Sequence, residues 1–512
     1  MPEPLRIETS RPPGAPILRS RRPDPCAVVV FGANGDLAHR KLLPSLYSLY
    51  QEGELPEGVR IIGIGRSGKG GDAFPDEYRR SIEEHGREKP LDDEAWRSFA
   101  GRLAYLEGDV KESEVYRELR GILSLPETRE STHGNALFYM ATPPDLFPNV
   151  LEGLLAAGLL HRNKDSAREP WDRIVVEKPF GTDLHSAREL NRQIAHAIDE
   201  RQVFRIDHYL GKEAVQNLLV FRFGNSIFEP LWNRRYIDHV EITSSESIGI
   251  EGRGRFYETV GALRDMIQSH VLQLLMLCAM DPPVSFESEE IRDQRARTLR
   301  ALRPIPAEAV ARHVVRGQYR GYQEEPSVAP GSTTETYVAL RVLIDNWRWQ
   351  GVPFYLRTGK RLRSRETFVA IHFREVPLCL FGRDDLCQRL EPNLLLARIQ
   401  PDPGMTLRFV SKAPGDELSI ANVTMRMDWN ETFQTSLHDA YERLLLDCMR
   451  DDPTLFWRSD AVENSWAFLE PILEAWGSDA SIPLSIYEPG SEGPEAAREM
   501  LSREGKRWTE LG

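Results

Sequence analysis

Residues 205–212 read Arg-Ile-Asp-His-Tyr-Leu-Gly-Lys, a polar run between an apolar strand pattern and the helix pattern from Glu213 to Phe221. His208, Tyr209 and Lys212 offer donors of three kinds around one helix start, which suits a phosphate dianion. Read alone, a polar helix cap with a solvated lysine explains the run at least as well. A second reactive set is Arg264-Asp265-Met266-Ile267-Gln268-Ser269-His270, which opens an apolar helix pattern that ends at Met280 before Asp281-Pro282-Pro283. Histidine, with an unperturbed pKa of ~6.5, can take a proton near neutrality. A lone histidine on such a helix is more often a core residue satisfied by its neighbours. In an α-helix, five residues at ~100° each put Asp265 about 140° away from His270. A base at His270 therefore needs its orienting carboxylate from elsewhere.

Other reactive groups stand at strand ends. Ala27–Phe31 leads directly into Gly32-Ala33-Asn34-Gly35-Asp36-Leu37-Ala38, followed by a helix pattern with Leu42, Leu46 and Leu49 on one face and Pro44 as a candidate kink. Strand, glycine turn and helix is the setting in which helix N-terminal amides hold a pyrophosphate, with glycines letting the backbone come close. The GxxGD spacing meets the GxGxxG fingerprint only in part, and its glycines alone suit an ordinary tight turn equally well. The next strand ends at Gly65-Arg66-Ser67. In this architecture an arginine there suits a ribose 2′-phosphate and an acid suits a free 2′-hydroxyl; the bland reading is a solvated arginine. Glu177-Lys178-Pro179-Phe180-Gly181 closes another buried run. Its lysine lies where ligands of α/β proteins bind, or else reaches solvent.

These groups need elements to position them. In the first half, Ala27–Phe31, Val59–Ile64, Leu137–Ala141, Arg173–Glu177 and Val203–Ile206 alternate with helix patterns such as Ser186–Glu200. That alternation predicts a parallel sheet wound with helices. In the second half, Tyr236–Ile242, Thr336–Ile344, Thr367–Phe373, Leu394–Gln400, Met405–Val410 and Asn422–Trp429 alternate like half-buried antiparallel strands. Helix patterns over Arg264–Met280 and Leu437–Arg450 interrupt them. The expected fold is an α/β N-terminal domain, 26–206, behind a tail of residues 1–25. A larger C-terminal α+β domain, 207–512, is expected on a mainly antiparallel sheet.

Composition narrows the function. The chain has 512 residues, of which 41% are hydrophobic and 28% charged, as in a soluble globular protein. Its 65 basic and 78 acidic residues leave a net charge of −13, so nucleic acid and anionic membranes are not expected partners. A local basic pocket for a small phosphate stays open. No apolar run approaches the ~18 residues of a membrane span, and the Pro- and Arg-rich start has no apolar core of a signal peptide. The five cysteines form no CxxC pair and no metal spacing, which fits reduced thiols in a cytoplasmic protein without a metal.

Together, FGANGDLAHRKLLPSLYSL, GIGRS, LFYMATPP, RIVVEKPFG, RIDHYLGK, EGRGRFYE, RDMIQSH, LRTGKRL, RIQP and DAYERLLLDCMRDDPTLF run in order from Phe31 to Phe456. This ordered set resembles the glucose-6-phosphate dehydrogenase family. RIDHYLGK is its specific member; EKP and the glycine turn alone are not. The resemblance implies a Rossmann-like coenzyme domain and a β+α domain. It also implies oxidation of D-glucose 6-phosphate by NADP to 6-phosphogluconolactone, the entry to the pentose phosphate pathway. It gives His270 the role of base and Asp207 that of its orienting carboxylate. His208, Tyr209 and Lys212 then resemble a phosphate clamp, and Lys178, Glu246, Asp265, Lys360, Arg365 and Gln400 resemble sugar-contacting positions. Gly32, Ala33, Asn34, Gly35, Asp36, Leu37, Arg66, Ala141, Pro143 and Lys178 resemble the coenzyme site. A homodimer or homotetramer is the family expectation.

Two positions depart from the family's habit. Asn34 stands where Ser or Thr is common and still tolerates turn geometry. Gly65 stands where Ala is common, which is expected to loosen the turn. Arg398 and Arg408 match basic positions of a second, structural NADP site found in some relatives, but two arginines are too few to assign it. A sugar dehydrogenase acting on another hexose would lack RIDHYLGK. A catalytically silent NADP-binding regulatory or assembly protein on the same scaffold should have lost Asp207 or His270.

Overall fold

The computed structural model describes residues 22–66, 73–87, 89, 91–163, 170–378, 380, 390–416, 418–433, 438–479 and 481–512. Ser67, Cys379, Cys387, Leu437 and most of the expected tail lie outside the described residues.

The valine-rich run Ala27–Phe31 forms β1, buried along its whole length, as expected of a parallel strand covered on both faces. It is joined by β2 (Arg60–Gly65), β3 (Leu103–Glu107), β4 (Ala136–Met140), β5 (Asp172–Val176) and β6 (Val203–Arg205). The strands run parallel in the order β3-β2-β1-β4-β5-β6. This is the doubly wound Rossmann order, in which the carboxyl ends of β1 and β4 flank the crevice where ligands bind. β3 was not expected: its Leu-Ala-Tyr-Leu-Glu is a half-buried edge with little β-branched character.

The second sheet comprises β7 (Ile237–Ser245), β8 (Val314–Tyr319), β9 (Tyr337–Leu343), β10 (Pro353–Gly359), β11 (Glu366–Phe373), β12 (Leu394–Gln400), β13 (Gly404–Lys412), β14 (Ile420–Asp428) and β15 (Leu484–Tyr487). Their order is β14-β13-β12-β11-β7-β10-β9-β8-β15. Pairs are antiparallel except β7 with β10 and β8 with β15. β10, in the middle, is buried at every position, and its neighbours β7 and β9 are almost as deeply covered, more so than half-buried strands.

Later segments return to the first sheet. The helices Ala440–Arg450 and Ser459–Ser478 carry apolar faces that join the same core as β1 and β5. Arg173 of β5 donates to the carbonyls of Cys448 (2.8 Å) and Met449 (2.9 Å) at the end of the first helix. Trp466 of the second donates to the carbonyl of Phe180 at 2.9 Å. Phe204 of β6 meets Phe456 edge to face at 4.9 Å. Among the described residues, no helix is long and apolar enough to cross a membrane.

Candidate active site

Three chain segments bring the reactive side chains together. β5 ends at Val176 and delivers Lys178, β6 ends at Arg205 and delivers Asp207, and Leu263–Val271 delivers Asp265 and His270. This last segment winds as a π-helix: the Leu272 N–H donates to the carbonyl of Ile267, five residues back. Single π turns recur at functional sites. Here the winding corrects the α-helical placement of Asp265 far around the axis from His270. Residues five apart share a flank, and Lys178 Nζ reaches both: His270 Nε2 at 3.0 Å and Asp265 Oδ1 at 3.0 Å.

The His270 ring is orientated by Asp207, whose Oδ1 lies 2.5 Å from Nδ1. Both side chains are buried. Asp207 is itself fixed by the Tyr209 N–H at 3.0 Å and by Trp457 Nε1 at 3.4 Å. Tyr209 stacks on His270 with ring centres 4.1 Å apart, and His208 packs edge-on at 4.6 Å. Burial alone would raise the Asp207 carboxyl, but His270 holds it well below the usual carboxylate range. Burial, with Lys178 adding to it against the pull of Asp207, lowers His270. The pair therefore rests as carboxylate and neutral imidazole, with Nδ1–H on Asp207 and a lone pair at Nε2 facing Lys178.

Lys212 sits at the other end of this site. Its Nζ lies 3.7 Å above the Tyr209 ring and donates to Gln400 Oε1 at 2.5 Å. Burial and the nearby Arg365 guanidinium push the ammonium down to about 8. Two cations held this close, one of them desolvated, make a site that gains from an anion. Burial and the surrounding cations likewise lower His208. Tyr209 is anchored through its hydroxyl to Ser244 at 3.1 Å, and Ser244 in turn meets Thr367 at 3.2 Å. Along the side of the cleft, Lys360 pairs with Glu246. Burial would raise Asp265, but Lys178 and Lys360 bring it down to about 2. The result is a row of alternating charges that offers both donors and acceptors to hydroxyl groups. Ser244, Thr367 and Trp457 were not singled out in the sequence; they support the site from strands and loops with no motif of their own.

The glycine turn lies across the crevice. Gly32, Asn34, Gly35, Arg66, Ala141 and Pro143 line one cavity of about 310 Å³. Ala33, Asp36, Leu37 and Lys178 do not line it: Ala33 is fully buried and Asp36 pairs outward with Arg40 at 3.6 Å. Gly108, Asp109 and Val110 do line it; they follow β3 and were missed with it. Gly32 has φ +87°, and a Cβ there would lie 2.6 Å from the Ala141 carbonyl oxygen. The expected loosening at Gly65 is not found. A Cβ on residue 65 would lie 1.9 Å from Asn34 Oδ1, which is held by the Tyr105 hydroxyl at 2.8 Å. The larger Asn34 side chain fills the room that Gly65 leaves. Arg398 faces Asp428 at 3.9 Å and Arg408 faces Glu391 at 3.6 Å.

Comparison with known proteins agrees along most of the chain. The family model "Glucose-6-phosphate dehydrogenase, NAD binding domain" matches residues 29–217, and "Glucose-6-phosphate dehydrogenase, C-terminal domain" matches 219–509. A glucose-6-phosphate 1-dehydrogenase of Chlamydia muridarum is 44% identical over 496 residues, covering 94% of this chain and 96% of the relative. One from Bacillus subtilis is 40% identical over 501 residues, covering 96% and 99%. A solved glucose-6-phosphate dehydrogenase in complex with its substrate glucose-6-phosphate superposes with TM-score 0.85 at 33% identity, covering 96% of this chain and 99% of that one.

Proposed function

The chain belongs to the glucose-6-phosphate dehydrogenase family, and from that membership we propose that it oxidises D-glucose 6-phosphate at C1 to 6-phospho-D-glucono-1,5-lactone with NADP. The observation that carries the reading is the buried Asp207–His270 pair beside Lys178, with Lys212 and Arg365 at one end of the same cleft.

The proton follows from the tautomer. Nε2 of His270 takes the C1 hydroxyl proton, while Nδ1–H stays on Asp207 and the carboxylate stabilises the imidazolium. Lys178 donates to that same Nε2 at 3.0 Å. Turning this ammonium to a sugar oxygen frees the lone pair and leaves a cation beside the oxygen that loses its proton. His208, Tyr209 and Lys212 hold the phosphate, with Arg365 adding its charge near Lys212. Gly32, Asn34, Gly35, Arg66, Ala141 and Pro143 hold the coenzyme; the fit rests on the cavity they line and on the bare backbone of Gly32. When bound, the nicotinamide supplies the hydride acceptor. NADP rather than NAD rests on Arg66 at the carboxyl end of β2. A homodimeric or homotetrameric state and a cytoplasmic location belong to the same proposal.

The test is NADPH absorbance with glucose 6-phosphate, glucose and no sugar. Turnover confined to the phosphate ester is expected; no turnover, or equal use of glucose, overturns the reading.

A further inference from the structure

We propose that Asp109 is a specificity-determining residue for the coenzyme, accepting a hydrogen bond from the 6-amino group of its adenine. The inference rests on the reading of the cavity beside the glycine turn as the coenzyme site. Among the described residues, Arg66 and Asp109 are the charged ones that line this cavity. The rest of the lining is glycine, apolar side chains, Asn34 and Thr142.

Strand order places the two charges. The strands at this side of the sheet run β3-β2-β1, and the cavity crosses the carboxyl ends of all three. The glycine turn follows β1, Arg66 follows β2, and Asp109 comes two residues after the end of β3. Neighbouring strands stand ~4.8 Å apart, so β3 lies about 10 Å from β1. A dinucleotide with its pyrophosphate on the glycine turn and its ribose phosphate at the end of β2 carries its base one strand farther out, to β3.

Charge decides what an acid can do there. NADP brings a pyrophosphate and a ribose phosphate, and a carboxylate that met either would repel the ligand. At this end of the ligand the donors are a ribose hydroxyl and the adenine 6-amino group. The ribose belongs to the end of β2, beside Arg66. A carboxylate only accepts, and the amine is the donor left for it. Hypoxanthine has a 6-oxo group instead, which presents lone pairs to the same oxygen.

The turn that carries Asp109 is braced. The Gly108 N–H donates to the Gly65 carbonyl at 3.0 Å, tying this turn to the end of β2. Asp109 Oδ1 accepts the Lys111 N–H at 3.0 Å, and its carbonyl accepts the Glu112 N–H at 2.8 Å. The Tyr116 hydroxyl donates to the Val110 carbonyl at 2.6 Å. The Lys111 bond uses one of the four acceptor positions of the carboxylate and leaves capacity for a ligand. A hydrogen-bonding group fixed before the ligand arrives is what lets a site reject an analogue that lacks the matching donor.

The test reads binding rather than turnover: calorimetric titration of the full chain, without sugar, with NADP and with its deamino analogue, in which hypoxanthine replaces adenine. The parent should bind NADP about 10- to 100-fold more tightly than the analogue. Asp109→Asn keeps an oxygen for the Lys111 N–H and offers an amide N–H to the base. It should weaken NADP and bring the analogue level with it or ahead. Arg66→Ala should weaken both ligands and keep their ratio. Equal affinity of the parent for the two ligands overturns this inference and leaves the coenzyme reading standing; a parent that binds neither overturns that reading as well. An equal loss of both ligands in folded Asp109→Asn also overturns the inference, because Asp109 then serves only the turn. Should Asp109→Asn fail to fold, the two ligands compared on the parent carry the test.

Discussion

Two buried histidines lie on opposite sides of the large sheet, each with Nδ1 on a carboxylate: His270 on Asp207 at 2.5 Å, His239 on Asp238 at 2.7 Å. Their second nitrogens meet opposite charges. His270 Nε2 faces the Lys178 ammonium at 3.0 Å, and His239 Nε2 faces the Glu241 carboxylate at 3.6 Å. Burial disfavours the imidazolium at both. At His270 burial prevails, with Lys178 on its side, and the pKa falls. At His239 burial is outweighed by Asp238 and Glu241, and the pKa rises. A histidine–carboxylate pair is therefore not a base by itself; the group facing the second nitrogen decides what it is.

The largest break in this comparison is by deletion. His270→Asn should cut kcat by ~10²–10⁴-fold with substrate still bound, Asp207→Asn should lose less at the same step, and His239→Gln should leave kcat unchanged. Equal losses at His270 and His239 would mean that both act through the fold. Next come the two ends of the cleft. Lys212→Ala removes a charge-assisted contact of ~1.5–3 kcal/mol and should raise KM for glucose 6-phosphate ~10- to 100-fold, with coenzyme KM little changed. Arg66→Ala should weaken NADP by a similar ~10- to 100-fold and NAD little. The check is kcat/KM for both coenzymes, and a parallel loss would show that Arg66 supports the fold or stacks on adenine.

Smaller effects test the neighbours. Lys178→Gln takes a cation from His270 Nε2, so the imidazolium becomes easier to form. The acidic limb of the kcat/KM profile should move to higher pH, and a limb that stays or moves down would reject the role given to Lys178. The smallest effect is in stability. His239 has a raised folded pKa, so its contribution is full below the unfolded value of ~6.5 and is lost as pH rises through the folded value. Denaturant titrations should show this slope in the parent and not in His239→Gln.

The two sheets were legible to different degrees. β1, β4 and β5 announce themselves as apolar runs closed by glycine or proline, and β7, β9 and β11 by alternation. β3 fails because an edge strand has little to bury, and β10 because Pro353, Arg357 and Gly359 break its apolar run although all are buried. β8 and β15 pair with each other at the far edge; β15 has only four residues, and β8 carries Arg316, Gly317 and Gln318 in place of an apolar run. The site was legible as a family pattern rather than as geometry. Asp207 and His270 are 63 residues apart, and no spacing rule joins them. The π winding of Leu263–Val271 leaves no mark, because Leu263, Met266, Ile267 and Val271 keep the i, i+3, i+4, i+8 spacing of an α-helix. Asn34 and Gly65 read as two departures, and only their contact makes them one.

The return of the last third of the chain to the first sheet sets an order of events during synthesis. Trp457, which bonds Asp207, follows it by 250 residues, and the backbone carbonyls that satisfy the buried Arg173 follow that residue by 275 and 276. At ~5–20 residues per second, a ribosome takes roughly 12–50 s to cover the first interval. For that time the strands of the first sheet are outside the tunnel with an uncovered apolar flank and a guanidinium without its acceptors. A chain cut short before Trp457 loses more than an appendage: its N-terminal half is left as a substrate for chaperones and proteases, and the Asp207 carboxylate is never sealed from water.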